Sequence, residues 1–267
     1  MKYKILCSDL DGTLLSSKSD VSKFAIEQIN KIKDDTKIIL VSARMPSGMR
    51  YIQEDLGIAD QPIICYNGAL VLLNNTVLTS VFIPVTTLKD IYELCKEHQA
   101  DLGLYYNNEW YVPKTSIRVE KEIKYTKSNP IFQDTHSTLT DWDQRNVGAH
   151  KIMLMCTKNS ADDLMPVLKE KLGEHLNLYR SNDTLIEIAP KTVSKLSAIN
   201  LLLEANESLT DIIAFGDNYN DIEMLENVGC GVAVANARAE VKAISDYITL
   251  ENTADGVANY IAKNLVN

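Results

Sequence analysis

Near the N-terminus an apolar run leads directly into two carboxylates. Residues 3–6 precede the stretch Cys7-Ser8-Asp9-Leu10-Asp11-Gly12-Thr13, and an apolar run that breaks at an Asp/Gly turn predicts a buried strand. Side chains two apart on a strand share a side, so Asp9 and Asp11 would share one small space. Two like charges about 4 Å apart repel by roughly 4 kcal/mol near a protein surface. The pair favours a site for a cation or a proton, although a lone Asp-x-Asp is more often a solvated turn.

Composition sets the class of protein but not its chemistry. With 267 residues, 45% of them hydrophobic and 24% charged, the chain can bury the core of one large domain or two modest ones. A net charge of −9 and the lack of a basic run argue against a nucleic-acid partner. We expect no membrane segment and a cytoplasmic location, because neither a long apolar span nor a signal-peptide pattern is present. The five cysteines form no C-x-x-C pair, which predicts reduced thiols rather than a zinc site.

The N-terminal third alternates strands with helices. Short apolar runs at residues 37–41 and 62–65 predict further strands, and apolar residues at helical spacing precede each of them. Residues 70–80 favour a hairpin that turns at Asn74-Asn75. Strands joined by helical crossovers form a parallel sheet, which binds ligands at the carboxyl ends of its strands. The polar residues that follow these strands are Asp9, Asp11, Ser42, Arg44 and Asn67. Their common placement predicts a site at that edge of the sheet.

The pattern changes after about Pro84 and returns near residue 187. The segment between these points mixes short helices and strands with a polar stretch at residues 115–146, which is typical of an α+β module. Because the alternating pattern resumes afterwards, we expect an insertion rather than an appended domain. The expected fold is an α/β parallel-sheet core formed by residues 1–83 and 187–267, with residues 84–186 as an inserted α+β domain.

The resumed pattern adds a lysine and a second acidic loop. Ser194 is a predicted helix N-cap, which puts Lys195 at the first helical position. The helix dipole disfavours a cation there unless it faces an anion. A predicted buried strand at residues 211–215 then runs into Gly216-Asp217-Asn218-Tyr219-Asn220-Asp221. Two further carboxylates therefore lie at the carboxyl end of a strand.

Taken in order, these segments resemble the four motifs of the haloacid dehalogenase superfamily. The matching segments are Asp9-Leu10-Asp11-Gly12-Thr13, Ser42, Lys195 and Gly216-Asp217-Asn218-Tyr219-Asn220-Asp221. The insertion after the second motif, together with Asn67-Gly68-Ala69, is similar to the Cof-type branch. The resemblance covers essentially the whole chain and implies a Rossmann-like core with an inserted C2-type cap that sets substrate specificity. Two positions depart from the branch: Ser42-Ala43-Arg44 replaces a common Thr-Gly-Arg, and Leu196 replaces the Gly that commonly follows the lysine.

The resemblance implies a Mg²⁺-dependent phosphatase of small phosphorylated metabolites, such as sugar phosphates, that works through an aspartyl-phosphate. Asp9 would be the nucleophile. Asp11 would be the general acid for the leaving alcohol and then the base for water. Mg²⁺ would be held by Asp9, the main-chain carbonyl of Asp11 and Asp217, with Asp221 supporting a metal-bound water.

The phosphoryl group would be held by Ser42, Lys195 and Asn220. The charge count agrees with a metal ion at this place. Four carboxylates and a phosphate ester face only two cations, Lys195 and Arg44. A hard divalent cation with oxygen ligands would resolve that deficit, and Mg²⁺ fits because it binds through few carboxylates together with phosphate oxygens and water.

Substrate selection is expected from positions beside the motifs and on the insertion. The candidate substrate-binding residues are Arg44, Asn67, Gly68, Lys151, Arg180 and Glu187. The expected partner is a small-molecule phosphate ester, and we expect a monomer or a weak homodimer. Two other functions remain open from the sequence: a phosphomutase or phosphotransferase, in which an alcohol replaces water, and a non-catalytic sensor of phosphorylated metabolites.

Overall fold

The structure is a computed structural model that describes residues 3–16, 20–74 and 76–266. Its strands are β1 Ile5–Ser8, β2 Lys37–Val41, β3 Ile63–Cys65, β4 Leu70–Leu73, β5 Thr76–Ser80, β6 Ile83–Pro84, β7 Asp101–Tyr106, β8 Glu109–Val112, β9 Ile131–Phe132, β10 Gly148–Ala149, β11 Lys151–Met155, β12 Leu176–Asn182, β13 Leu185–Pro190, β14 Ile212–Gly216, β15 Cys230–Ala233 and β16 Tyr247–Ile248. Its helices are α1 Lys23–Ile32, α2 Ser47–Leu56, α3 Val85–Glu97, α4 Ile117–Thr126, α5 Thr135–Arg145, α6 Lys158–Leu172, α7 Lys195–Asn200, α8 Ile222–Asn227, α9 Ala239–Ile244 and α10 Gly256–Asn264.

The chain divides into two compact units. One contains the residues up to Thr79 together with those from Ser194 onwards, and the other contains Ser80–Val193. The breaks expected from the sequence lie at 83/84 and 186/187. Strand pairing moves both of them, since β6 pairs with β10 and β13 pairs with β11 and β12, all within the second unit. The assignment of the second unit as a specificity cap remains a proposal.

The first unit is built on a mixed sheet with a parallel centre. Its strand order is β16-β15-β14-β1-β2-β3-β4-β5. The pairs from β16 to β3 are parallel, and β4 runs antiparallel to β3. This order confirms the expected α/β fold class. Asn75, one of the two residues expected to form the hairpin turn, lies outside the described residues.

The carboxyl edge of β1 and β14 is a topological switch point. From β1 the chain proceeds through α1 to β2 on one side, whereas from β14 it proceeds through α8 to β15 on the other. Right-handed crossovers in opposite directions leave a crevice between such strands at their carboxyl ends. Asp9 and Asp217 are the first residues after β1 and β14. The fold therefore places the two acidic loops side by side.

The second unit has a sheet in the order β12-β13-β11-β7-β8-β9. Helices α3, α5 and α6 pack on one face of it, and the buried core there includes Leu104, Ile152, Ile186 and Trp142. Alternate residues of the same strands point to the other face. The two faces decide where the expected substrate residues of this unit lie.

One local prediction is confirmed: Ser194 caps α7, with its side chain accepting from the backbone N–H of Ser197. Gly57 ends α2 in the left-handed conformation. All five cysteines are free thiols. Among the described residues, no helix is both long enough and apolar enough to cross a membrane.

Candidate active site

The loop after β1 gives its two aspartates different surroundings. Asp9 is only 6% exposed, whereas the side chain of Asp11 is 42% exposed. Gly12 follows with a φ of +88°, and a Cβ atom at this position would lie 2.6 Å from Oδ2 of Asp217. Glycine is needed here both for the backbone conformation and for the space. The loop can therefore turn tightly against the second acidic loop.

Lys195 contacts a carboxylate from each of the two acidic loops. Its side chain is 1% exposed, and its Nζ lies 2.6 Å from Oδ1 of Asp9 and 2.6 Å from Oδ1 of Asp221. Burial lowers the pKa of Lys195, but the charges of Asp221 and Asp9 outweigh it and raise this pKa overall. The lysine at the start of α7 thus faces anions, which compensates for its unfavourable position in the helix dipole.

Both carboxylate oxygens of Asp221 contact other groups of the protein. The residue is fully buried, and its Oδ2 accepts hydrogen bonds from the backbone N–H groups of Asp217 and Asn218, both at 3.0 Å. A Cβ atom on Gly216 would lie 2.5 Å from the Cβ of Asp221. With Lys195 on the other oxygen, Asp221 fixes the shape of the loop that carries Asp217.

The acidic residues fit a divalent cation. Asp9, Asp217 and Asp221 each offer an oxygen, and these atoms lie within 4.8 Å of one another. Oδ2 of Asp9 is buried and accepts no hydrogen bond from the described residues. Burial raises the pKa of Asp9 to about 8 and that of Asp217 to about 6, because Lys195 offsets only part of the desolvation and of the repulsion between carboxylates. Hard cations such as Mg²⁺ bind oxygen sets of this kind.

The residues expected to bind phosphate meet a second loop. Ser42 is buried after β2, and its carbonyl oxygen accepts from the N–H of Asn67 at 2.9 Å. Oδ1 of Asn67 accepts from Nδ2 of Asn220 at 3.0 Å. Gly68 has a φ of +109°, and a Cβ atom on it would lie 2.3 Å from the carbonyl oxygen of Ser194. The structure brings Ser42, Asn67, Gly68 and Asn220 together beside the N-terminus of α7.

Arg44 contacts the acid of the first motif. Its Nε lies 2.8 Å from Oδ2 of Asp11, and its Nη2 lies 2.7 Å from Oδ1. Its Nη1 donates to the carbonyl of Gly48 and to the hydroxyl of Tyr51, both at 3.0 Å. The guanidinium group that was expected to bind substrate is therefore engaged with Asp11 and with α2.

Lys151 and Glu187 lie together in the second unit. Their charged atoms are 3.8 Å apart, and Nζ of Lys151 lies 4.5 Å from the ring centre of Tyr105. The hydroxyl of Ser181 donates to Glu187. Lys151 pairs with Tyr105 across the sheet, and Glu187 pairs with Met153. These residues share the sheet face opposite to the α3, α5 and α6 core.

Arg180 does not join this pair. It lies opposite Ile186 in the sheet, and Ile186 belongs to the core under the helices. Its Nη2 donates to Asp162 of α6 at 2.9 Å. Arg180 therefore lies on the sheet face opposite to that of Lys151 and Glu187, because alternate strand residues point to opposite faces and the register is not visible in the sequence.

Sequence reasoning missed three contributors to the site. The hydroxyl of Thr13 donates to Oδ1 of Asp217 at 3.3 Å, and Nδ2 of Asn236 donates to the carbonyl of Gly12 at 2.8 Å. Tyr51 holds Arg44. Asn236 carried a usable signal, since it follows the carboxyl end of β15 just as Asp9 and Asp217 follow their strands. Thr13 lies within the first motif, and Tyr51 gives no signal in the sequence.

Comparison with known proteins agrees with the family and the fold that the sequence resemblance implied. Residues 6–261 match the model of the haloacid dehalogenase-like hydrolase family. The chain belongs to this family.

Known relatives match over nearly the whole chain. A Haemophilus influenzae protein is 30% identical over 265 residues, which cover 97% of each chain. Pyridoxal phosphate phosphatase YbhA of Escherichia coli is 28% identical over 276 residues, which cover 100% of both chains. Among solved structures, a haloacid dehalogenase-like hydrolase from Bacteroides thetaiotaomicron superposes with a TM-score of 0.88 at 26% identity, covering 98% of this chain and 99% of that one.

Proposed function

We propose that this hydrolase is a divalent-metal-dependent phosphatase of small phosphorylated metabolites, such as sugar phosphates, and that it works through a covalent intermediate on Asp9. One observation carries the proposal. Lys195 fixes one oxygen of Asp9 at 2.6 Å, while the other oxygen is buried and accepts no hydrogen bond from the described residues. A carboxylate held in this way is oriented and poorly solvated, which suits a nucleophile. The phosphatase named among the relatives supports phosphate esters as substrates.

In the first step a carboxylate oxygen of Asp9 attacks phosphorus. The bond between phosphorus and the leaving oxygen breaks, and the carboxyl group of Asp11 gives its proton to that oxygen, so that the alcohol leaves neutral. Lys195, the Ser42 hydroxyl and the Asn220 amide would bind the phosphoryl oxygens as charge develops on them.

In the second step water attacks the phosphorus of the aspartyl-phosphate. Asp11, now ionised, takes the proton of that water. The bond between phosphorus and Asp9 breaks, inorganic phosphate leaves, and the carboxylate of Asp9 is restored. Both steps use Asp11, first as acid and then as base.

The metal ion would be held by Asp9 and Asp217, together with the main-chain carbonyl of Asp11. Asp221 would act through the loop that it shapes and through a metal-bound water. When bound, Mg²⁺ would neutralise part of the negative charge of the carboxylates and of the phosphate ester.

The second unit would serve as the specificity cap. Lys151 and Glu187 offer a cation and an anion on the same sheet face, a combination that suits the hydroxyl and phosphate groups of a polar metabolite. Phosphoryl transfer to an alcohol in place of water would use the same residues of the first unit.

The test is phosphate release from a panel of sugar phosphates, nucleotides and phosphorylated cofactors with Mg²⁺. We expect release from some of them and none from the Asp9→Asn variant. Product analysis in the presence of added alcohols separates hydrolysis from transfer. If the wild-type protein with Mg²⁺ released phosphate from no member of the panel, or if Asp9→Asn were as active as the wild type, the proposal would be wrong.

A further inference from the structure

Arg44 makes a forked, directional contact with Asp11 in the first unit. Two parallel hydrogen bonds of 2.8 and 2.7 Å join its Nε and Nη2 to the two oxygens of Asp11. A forked pair of this kind fixes the plane of the carboxylate as well as its position, which a single contact does not. The Asp11 side chain is 42% exposed, whereas that of Arg44 is 3% exposed. The partly exposed carboxylate of Asp11 is therefore held by the buried guanidinium group of Arg44.

Arg44 is itself fixed. Its Nη1 donates to the carbonyl of Gly48 and to the hydroxyl of Tyr51, both on α2 and both at 3.0 Å. Its backbone N–H donates to Oγ of Ser42 at 3.3 Å, and its carbonyl accepts from the N–H of Tyr66 at 3.2 Å. The guanidinium is thus held by the first turns of α2, and the Arg44 backbone is held within the loop that follows β2.

We propose that Arg44 is a positioning residue for Asp11 rather than a residue that binds substrate. This inference rests on the proposed function. The fork takes one acceptor site on each oxygen of Asp11, and a carboxylate has about four such sites. The outer sites stay open for proton exchange with the leaving oxygen and then with water. The rigid link from α2 through Arg44 to Asp11 sets the direction in which those sites point.

The leaving group distinguishes the two roles. Phenyl phosphate and p-nitrophenyl phosphate have almost the same shape, but the nitrophenol is much the stronger acid and leaves without a proton. The value of kcat/KM covers the steps up to release of the phenol, so it reports acid help and not the later attack of water. A residue that acts through Asp11 affects mainly phenyl phosphate, whereas one that binds the phosphate affects both.

The decisive variants are Arg44→Gln and Arg44→Lys, each assayed on both esters with Mg²⁺. Misplacing a reacting group by about 1 Å can cost up to about 10²-fold. We expect kcat/KM for phenyl phosphate to fall by about 10- to 100-fold in both variants, with a change of no more than about threefold for p-nitrophenyl phosphate. Lysine keeps the charge but cannot form the fork. A wild-type ratio of the two substrates in Arg44→Lys would therefore overturn the positioning role.

A double-mutant cycle with Asp11→Asn provides the second readout. If Arg44 acts through Asp11, adding Arg44→Gln to the Asp11→Asn variant should lower kcat/KM for phenyl phosphate no further, because the asparagine has no proton to donate. Additive losses, or equal losses on both esters in the single variant, would mean that Arg44 binds the substrate directly, and the inference would fail. If wild-type protein hydrolysed neither ester nor any member of the panel, the proposed function would fail instead.

Two further variants guard against loss of folding. Tyr51→Phe removes one anchor of Arg44 and leaves the fork intact, so it should shift the ratio of the two esters in the same direction by a smaller factor. Arg50→Gln removes a positive charge from the same helix without a described contact to Asp11, and it should leave the ratio unchanged. An unchanged ratio in Tyr51→Phe, or a changed ratio in Arg50→Gln, would count against the link through α2.

Discussion

Nζ of Lys195 and Oδ1 of Asp221 lie 2.6 Å apart, and neither side chain is open to solvent, with exposures of 1% and 0%. Breaking a buried ion pair from one side leaves an uncompensated charge, which typically costs about 3–5 kcal/mol. We expect Lys195→Met to lower the free energy of unfolding by this amount in urea denaturation without metal, in addition to lowering activity.

The matched control is Lys89→Met. Lys89 pairs with Asp143 at 2.8 Å, but the two side chains are 51% and 57% exposed. Exposed pairs of this kind contribute less than about 1 kcal/mol. A loss of stability in Lys195→Met no larger than that in Lys89→Met would show that the buried pair is not needed for folding.

Removal of divalent metal should abolish turnover. Lys195 pairs with Asp9 and Asp221, Asp217 adds a third carboxylate to the cluster, and a phosphate ester adds further negative charge. We expect Mg²⁺ to restore activity after chelation and Ca²⁺ to restore it poorly, since Ca²⁺ binds with a larger and more flexible coordination shell. The measurement is the initial rate against added metal. Full activity after exhaustive chelation would contradict the metal-assisted mechanism.

The two aspartates of the first loop should fail in different ways. Asp9→Asn should eliminate both turnover and the phosphoenzyme, because an amide does not form the aspartyl-phosphate. Asp11→Asn should keep the fold and the metal, since its expected ligand is a main-chain carbonyl, and should lower turnover of an alkyl phosphate by roughly 10² to 10⁴-fold. Steady-state rates and trapping of the phosphoenzyme distinguish them. A near-normal rate in Asp11→Asn would refute the acid–base role.

The two basic residues predicted to bind substrate in the second unit, Lys151 and Arg180, should differ in their effect on substrate selection. Lys151→Ala removes the partner of Glu187, and we expect it to lower kcat/KM for the best sugar phosphate far more than for p-nitrophenyl phosphate. Arg180→Ala is the control, because Arg180 contacts Asp162 of α6, away from the face that carries Lys151 and Glu187, and should change neither value. A selective loss in Arg180→Ala and none in Lys151→Ala would instead place the substrate-selecting surface on the sheet face that α3, α5 and α6 cover.

His150 makes stability depend on pH. The ring is buried, Nδ1 accepts from the N–H of Asn107 at 2.9 Å, and Nε2 lies 2.8 Å from the hydroxyl of Ser80. A backbone N–H can only donate, so the ring is neutral in the fold. Burial lowers the pKa of His150 from 6.5 to about 4.

The direction of the pH dependence follows from the unfolded and folded pKa values of His150. Below pH 6.5 the unfolded chain takes up a proton that the folded protein resists, so stability falls as the pH drops and the loss levels off below about pH 4. We expect a loss of about 2 kcal/mol at pH 5 relative to pH 8 from this group. Urea denaturation of the wild type and of His150→Gln at both pH values isolates this contribution: the change in stability between pH 8 and pH 5 should differ between the two proteins by about 2 kcal/mol, with the exposed His136→Gln as control. Equal pH dependence in the wild type and His150→Gln would remove this explanation.

The sequence predicted the positions of the site better than its contacts. Residues that follow strands of a parallel sheet must meet at one edge, so Asp9, Ser42 and Asp217 could be placed from strand order alone. The fork between Arg44 and Asp11 could not, because it depends on side-chain direction across two loops. The division of the chain was displaced for a similar reason, since the pairing of β6 with β10 joins residues that are far apart in sequence.

The strand order of the first unit also determines when, during synthesis on the ribosome, its sheet and its site can be completed. Strand β1 lies between β2 and β14, and the site residues Thr13 and Asp217 are 204 positions apart. At roughly 5–20 residues per second, the ribosome needs roughly 10–40 s to deliver the second after the first. All strands of the contiguous unit Ser80–Val193 are made before β14. Until β14 is made, one edge of β1 has no partner strand and can associate with other chains. We therefore expect the nascent chain to be inactive until β14 is made, and a translational pause just before Ile212 to prolong the stage at which β1 has an unpaired edge.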